Sequence, residues 1–328
     1  MNAPVGILAM AYGTAAGPED IGRYYTDIRG GRSPSPELLK ELAERYAAIG
    51  NRFPLLETTR RQAEGMVQEL NASRTQGEPE FRAYLGMKHS PPFISEGVAA
   101  MQRDGIEHAV GIVMAPHWSG MSVEGYIERA RAAASEGGGP SITFVRKWHD
   151  HPLFVEFLAS RVAEALQRLI PQERNGAAVV FSAHSLPIRE LPDGTKRCKL
   201  CAACDQGGCR YATGLQETAG LVADRLGLEF VAIGWQSAGR TADPWWEPAL
   251  EDVIQQLAAG GHPAVVVCSA GFVADHLEIL YDLDIAAKAT AEEAGIAFVR
   301  TEMPNADPRF IRVLAGVVGD HIRQERAA

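Results

Sequence analysis

No apolar run in this 328-residue chain reaches the roughly 18 residues that a membrane span requires. The amino end, MNAPVGILAMAYGT, carries no positively charged leader, so the expected location is the cytoplasm. Positive charge is also scarce: 32 Lys and Arg against 41 Asp and Glu leave a net charge of -9, the wrong sign for a nucleic-acid surface. Neither phosphate-cradling glycine signature is present. No G-x-G-x-x-G follows an apolar run and no G-x-x-x-x-G-K-[ST] occurs, which removes sequence support for a nucleotide cofactor. Cysteine is rare at five residues, yet four of them, Cys198, Cys201, Cys204 and Cys209, crowd into one short segment.

Such crowding is what a metal needs and a protein core does not. The spacing C-x2-C-x2-C-x4-C, with two glycines before the last sulfur, lets one loop wrap several thiolates around a single centre. The spacing admits an iron–sulfur cluster, either [2Fe-2S] or [4Fe-4S], or structural zinc; unliganded or disulfide-bonded thiols are the remaining alternative. Cys268 stands apart at the end of Val265-Val266-Val267, where a small buried thiol that merely packs is expected.

At 46% hydrophobic and 22% charged, the chain has the composition of a globular protein long enough for two domains. Short apolar runs at Val5 to Ala11, Phe81 to Met87, Val110 to Ala115 and Ile142 to Val145 are separated by amphipathic helical stretches. The second half repeats this grammar at Ala177 to Ser182, Phe230 to Ile233, Ala264 to Cys268 and Ile296 to Val299, with helices such as Phe154 to Leu169 and Pro248 to Ala259 between. Alternation of this kind predicts α/β architecture: two similar doubly wound, Rossmann-like domains, residues 1–150 and 151–328, each with a parallel four-stranded sheet. A final helix from Pro308 to Arg326 is free to pack back onto the first domain.

In parallel sheets ligands collect at the carboxyl ends of the strands. The residues there include Tyr12, Lys88-His89, His117-Trp118, His184-Ser185, Trp235-Gln236 and Asp275-His276-Leu277-Glu278. Imidazoles, phenols, indoles and a carboxylate thus converge on one interdomain cleft, suited to a metal or a flat aromatic ligand.

The segments MAYGT at 10–14, RYYTDIRGGRSPSPE at 23–37, LGMKHSPPF at 85–93, SAHSLP at 182–187, GWQSAGRTADPW at 234–245, GFVADHLEILYD at 271–282 and EMPNADP at 302–308 resemble the ferrochelatases nearly end to end. The likeness is to the short bacterial type that inserts iron into coproporphyrin III, with protoporphyrin IX as the alternative substrate. It implies a lyase of haem biosynthesis whose partners are a porphyrin, ferrous iron and transient haem-pathway proteins. It assigns iron binding and proton removal to His184 and Glu278, whose nitrogen and oxygen suit Fe2+. Asp275, Glu278 and Asp282, at i, i+3 and i+7, are expected on one helical stripe leading to that site. Relatives often carry a further acid where this chain has Ala286.

The resemblance also makes Tyr12 the axial ligand of product iron, and gives Arg29, Arg45, Tyr46 and Tyr126 to the porphyrin's propionates. Lys88, Arg32 and His89 are secondary candidates for those anions. Phe53-Pro54 departs from the family pattern by removing a hydroxyl donor. Trp118, Met121 and Trp235 read equally as ring contacts or core. For the cysteine segment the resemblance implies a [2Fe-2S] cluster. A non-catalytic haem or iron sensor is the competing class, and a cobalt or nickel chelatase of similar fold a further one.

Overall fold

The computed structural model describes residues 3–199, 201, 209–239 and 241–327. Cys204 therefore lies outside the described residues. The first half runs β1 (Val5–Ala11), α1 (Ile21–Ile28), α2 (Pro36–Ala48), α3 (Leu55–Ala72), β2 (Phe81–Met87), α4 (Ile94–Arg103), β3 (His108–Val113), α5 (Val123–Gly137) and β4 (Ser141–Val145). The second continues with α6 (Pro152–Gln167), α7 (Pro171–Arg174), β5 (Ala178–His184), β6 (Ile188–Glu190), β7 (Lys196–Cys198), α8 (Arg210–Leu226), β8 (Val231–Gln236), α9 (Leu250–Ala259), β9 (Ala264–Cys268), α10 (Leu277–Leu280), α11 (Lys288–Glu293), β10 (Ala297–Arg300) and α12 (Pro308–Ala327).

Two four-stranded sheets result, ordered β2-β1-β3-β4 and β10-β9-β5-β8. Every neighbouring pair in them is parallel. Their centres are uniformly apolar, as strands covered on both faces must be: Ile7, Leu8 and Met10 of β1, and Val265, Val266 and Val267 of β9, are fully buried. β1, β2 and β9 coincide with their apolar runs, whereas β5 extends two residues beyond its run, through Ala183 to His184. That extension delivers His184 to the carboxyl end of an interior strand.

α12 packs on α3 and α6 and touches β3 and β4, so the last helix lies against the first sheet. Gln62 of α3 reinforces the junction, donating from Nε2 to the carbonyls of Val273 (2.9 Å) and Asn305 (2.8 Å). One apolar core accordingly contains Met66 and Leu70 of α3, Phe154 and Phe157 of α6, and Phe310 and Leu314 of α12.

One expectation fails. Asp275, Glu278 and Asp282 do not share a helix: His276 is fully extended (φ -161°, ψ -175°), α10 is a single turn, and Asp282–Ala287 form a π-helical segment. Asp275 lies before the helix, held by Arg300 Nη2 at 3.2 Å and Asn305 Nδ2 at 2.7 Å. These two partners fix a loop carboxylate and remove it from the stripe.

Candidate active site

The two halves close on each other beside the carboxyl ends of β1 and β5. Ala15, Ile21, Tyr24, Tyr46 and Ile49 from the first half bury against Leu280, with Leu277 and Tyr281 packed alongside. This contact seats the segment carrying Glu278 over the first sheet.

His184 ends β5, and Gln236 is its ladder partner on β8. Its Nδ1 hydrogen-bonds the Ser185 carbonyl, an acceptor, so Nδ1 carries the proton and Nε2 is left for a ligand. That Nε2 faces Glu278 Oε1 across 3.6 Å, and Glu278 Oε2 faces His276 Nε2 across another 3.6 Å. A carboxylate is thus set between two imidazoles. The separations are longer than direct hydrogen bonds, and His184 and Glu278 face each other with one nitrogen and one oxygen donor. Burial opposes charge on both partners, but their attraction overrides it, so the His184 pKa is raised and the Glu278 carboxyl is held far below its usual range.

The support beneath this pair is buried and polar. Ser182 Oγ and Ser269 Oγ each donate to Gln236 Oε1 at 2.8 Å, and Gln236 Nε2 donates to the Glu278 carbonyl at 3.0 Å. Gly271 permits the close approach of the following loop, because a Cβ there would stand 2.5 Å from that of Ala183. Asp282 lies one turn farther out. Ser237 Oγ donates to it, and Arg45 Nη1 is 3.6 Å from its other oxygen. Burial raises its carboxyl to about 6, with the Glu278 charge contributing in the same direction.

Tyr12, just past β1, is 43% exposed to the cleft. The cleft walls, and then the carboxylates of Glu278 and Asp27, disfavour its ionisation. Gly13, at φ +100°, turns the chain immediately after it, where a Cβ would meet Ser90 Oγ at 2.5 Å. The His89 ring stands 4.6 Å from the Tyr12 ring and is tethered through Nδ1 to Asp27 at 2.7 Å. Among the proposed anion partners, Arg29 has a buried Nε without a hydrogen-bond partner. Arg32 donates from Nε to the Arg29 carbonyl at 3.3 Å. Lys88 Nζ lies 5.0 Å over the Tyr126 ring, and burial, aided by Arg129, lowers it to about 8. Tyr126 is itself buried.

Tyr46 is not an exposed helix residue: it is 3% exposed, stacks on Phe53 at 4.6 Å, and reaches Thr14 Oγ1 with its hydroxyl at 3.4 Å. The departure at Phe53 therefore supplies a ring to this stack. Trp235 is core, stacked on Trp246 at 5.7 Å. Trp118 instead lines a groove of about 800 Å³ with His149, Arg210 and Glu217. Met121 is half-buried.

His276, which the sequence reading names only among the strand-end residues, faces the Glu278 carboxylate. The signal was H-x-E: an extended cap residue and the second residue of the following turn bring their side chains together. Phe272 and Trp245, with ring centres 6.4 Å and 6.5 Å from that of His184, are likewise brought in by loops of irregular backbone.

Cys198 closes the β6–β7 hairpin and Cys209 caps α8, with the two sulfurs 3.0 Å apart and buried. Either thiol can donate to the other. Hydrogen bonding from Cys198 draws Cys209 down to about 6, while Cys198 is pushed well above the ordinary thiol range. Cys201 is also buried, and is disulfide-bonded. Two convergent sulfurs, one readily a thiolate, fit a thiolate-bound metal centre, which Cys201 would join once its disulfide is reduced. Cys268, inside β9, is pushed up to about 12 by burial and remains an inert core thiol.

A family description, Ferrochelatase, matches residues 4–322. Among curated relatives, the coproporphyrin III ferrochelatase of Anoxybacillus flavithermus is 45% identical over 98% of this chain and 97% of its own length. That of Bacillus subtilis is 45% identical over 96% of each. Among solved structures, SirB from Bacillus subtilis with Fe3+ superposes with a TM-score of 0.56 at 12% identity, covering 97% of this chain and 95% of that one, a likeness of fold.

Proposed function

Because this chain belongs to the ferrochelatase family, we propose that it is the lyase that inserts Fe2+ into coproporphyrin III to give coproheme in haem biosynthesis. The observation that carries the reading is Glu278 held between His184 and His276, with a 3.6 Å gap on each side. The reaction exchanges two pyrrole protons for one ferrous ion and moves no electrons. Nε2 of His184 and the carboxylate of Glu278 receive the iron and accept protons as the pyrrole nitrogens release them. Asp282, poised near neutrality and open toward Arg45, carries protons outward. Tyr12 approaches the opposite face of the ring and becomes the axial oxygen ligand of the product.

Arg29, Arg45, Tyr46 and Tyr126 answer the four propionates, with Lys88 beside Tyr126. A propionate replaced by a vinyl leaves such donors desolvated and unpaired, a loss of roughly 1.5 to 3 kcal/mol for a charged partner. An anaerobic insertion assay tests this: coproporphyrin III is expected to exceed protoporphyrin IX at least about tenfold in kcat/KM, and equal values would favour the protoporphyrin enzyme. A non-catalytic sensor is disfavoured because binding alone needs no proton-accepting pair, whereas turnover needs His184 and Glu278 to take up the pyrrole protons.

The thiol loop is read as a [2Fe-2S] site formed by Cys198, Cys201, Cys204 and Cys209, with [4Fe-4S] or zinc as alternatives. Bound there, such a centre would supply a cross-link between the β6–β7 hairpin and α8, and it would not be a reactant, because iron insertion moves no electrons. No helix among the described residues is long and apolar enough to cross a membrane. That fits a cytoplasmic enzyme that meets other haem-pathway proteins transiently.

A further inference from the structure

Behind the catalytic strand, two features that the reaction does not use meet. Tyr211 is buried on the first turn of α8, and its hydroxyl donates to the carbonyl of His184 at 2.9 Å. Its ring is fixed on two sides, 5.6 Å from Trp235 and edge-on to His117 at 6.3 Å. The hydroxyl makes its hydrogen bond to the residue whose side chain receives iron.

Tyr211 stands two residues after Cys209, the cap of α8. The partner sulfur, on Cys198, belongs to the hairpin that leaves the same strand end. Cys198 pairs with Ile188, and the next residue, Lys199, donates its N–H to the Pro187 carbonyl at 2.8 Å. Both anchors of the thiol pair therefore lead to His184, one along the chain through Ser185, Leu186 and Pro187, the other through the Tyr211 hydroxyl. Parting the two sulfurs would pull α8 from the hairpin and carry Tyr211 with it.

We propose that Tyr211 is a positioning residue for His184, and that the thiol pair tunes iron binding through it. While Cys198 and Cys209 are drawn together on one centre, the hydroxyl holds the His184 carbonyl and fixes the heading of its imidazole. When the centre is lost, that hold loosens and the active site takes ferrous iron less well. The inference rests on the chelatase reading and adds to it a dependence of substrate-metal affinity on the state of the thiols.

The test uses Co2+ as a probe of the catalytic site in porphyrin-free protein with a filled thiol loop. Its d–d absorption separates nitrogen–oxygen coordination from thiolate coordination. Tyr211→Phe keeps the ring and removes the donor, and is expected to weaken Co2+ binding and raise KM for Fe2+ by roughly two- to tenfold, the range of one net hydrogen bond. KM for porphyrin and the metal content of the loop stay as in wild type, which a general structural defect would not spare. Cys209→Ser is expected to weaken Co2+ binding in the wild-type background and to add nothing in the Tyr211→Phe background. If Cys209→Ser fails to fold, wild type and Tyr211→Phe are compared with the loop metal present and removed. Unchanged Co2+ affinity in Tyr211→Phe, or effects of the two changes that simply multiply, would overturn the proposal. His184→Ala separates the two readings: if it is inactive while Tyr211→Phe binds Co2+ normally, only this inference falls, and if it turns over normally the chelatase reading falls too.

Discussion

Replacing Glu278 by Gln preserves size and hydrogen-bonding shape while removing the charge between His184 and His276, each 3.6 Å away. Two losses combine. As a metal ligand, a neutral amide forfeits a charged contact to the cation, on the scale of about 1.5 to 3 kcal/mol, or roughly 10- to 150-fold. As a proton acceptor, it forfeits a contribution of typically 10²- to 10⁴-fold. The two draw on one group and are not additive, so the expected fall in kcat/KM is on the order of 10³-fold. The fold should survive, because Gln236 holds the Glu278 backbone and not its carboxylate. The assay is anaerobic Fe2+ insertion followed by porphyrin absorbance, with circular dichroism as the check on folding. A folded Glu278→Gln enzyme within about threefold of wild type would refute the reasoning.

The Asp282 carboxyl, raised to about 6, acts as an acceptor only when ionised, so kcat should fall about tenfold per pH unit below that value. Asp282→Asn should be slow and lack this inflection. A carboxyl raised on folding favours the native state only at low pH, and that benefit is gone above its folded value, so Tm of Asp282→Asn at pH 8 should equal or exceed wild type. Lys88, lowered to about 8, can pair with a carboxylate only when protonated; with Lys88 proposed as a propionate partner, KM for porphyrin should rise as pH climbs through 8 and beyond, and this dependence should vanish in Lys88→Met. Protein purified anaerobically under reducing conditions should be coloured and hold iron and acid-labile sulfide in equal amounts. Cys198→Ser or Cys209→Ser should abolish both and Cys268→Ser neither, whereas zinc without sulfide would exclude the iron–sulfur reading.

Strands carried by β-branched and aliphatic residues were legible from sequence because burial on both faces leaves an uninterrupted apolar signature, as in Ala264 to Cys268. The apolar signature of β5 stops at Ser182, two residues before the strand does, because the strand ends on the polar His184 that belongs to the site. The supposed stripe from Asp275 to Asp282 was illegible for a different reason. Spacing presumes a regular helix, while the extended His276 and the π-helical segment from Asp282 to Ala287 are set by tertiary partners such as Asn305 and Ser237. The β6–β7 hairpin is too short to leave a periodic signal. Tyr46 shows the same limit, since its helix is amphipathic in sequence but its ring is covered by Phe53 from the following loop and by Leu280 from the other half of the chain.

The last helix has a consequence for how this molecule can be taken apart. Residues after position 308 complete a core begun by α3 at positions 55–72, so the chain must be finished before its first half is fully covered. The two sheets share one strand order, yet α12 of the second half buries core residues of the first. Cutting near position 150 would give fragments that each expose a broad oily face, and they would be recovered as a reassembled pair or as aggregate. Synthesis imposes the same order on the cell, since the amino-terminal half must wait, partly uncovered, until its final strap emerges from the ribosome.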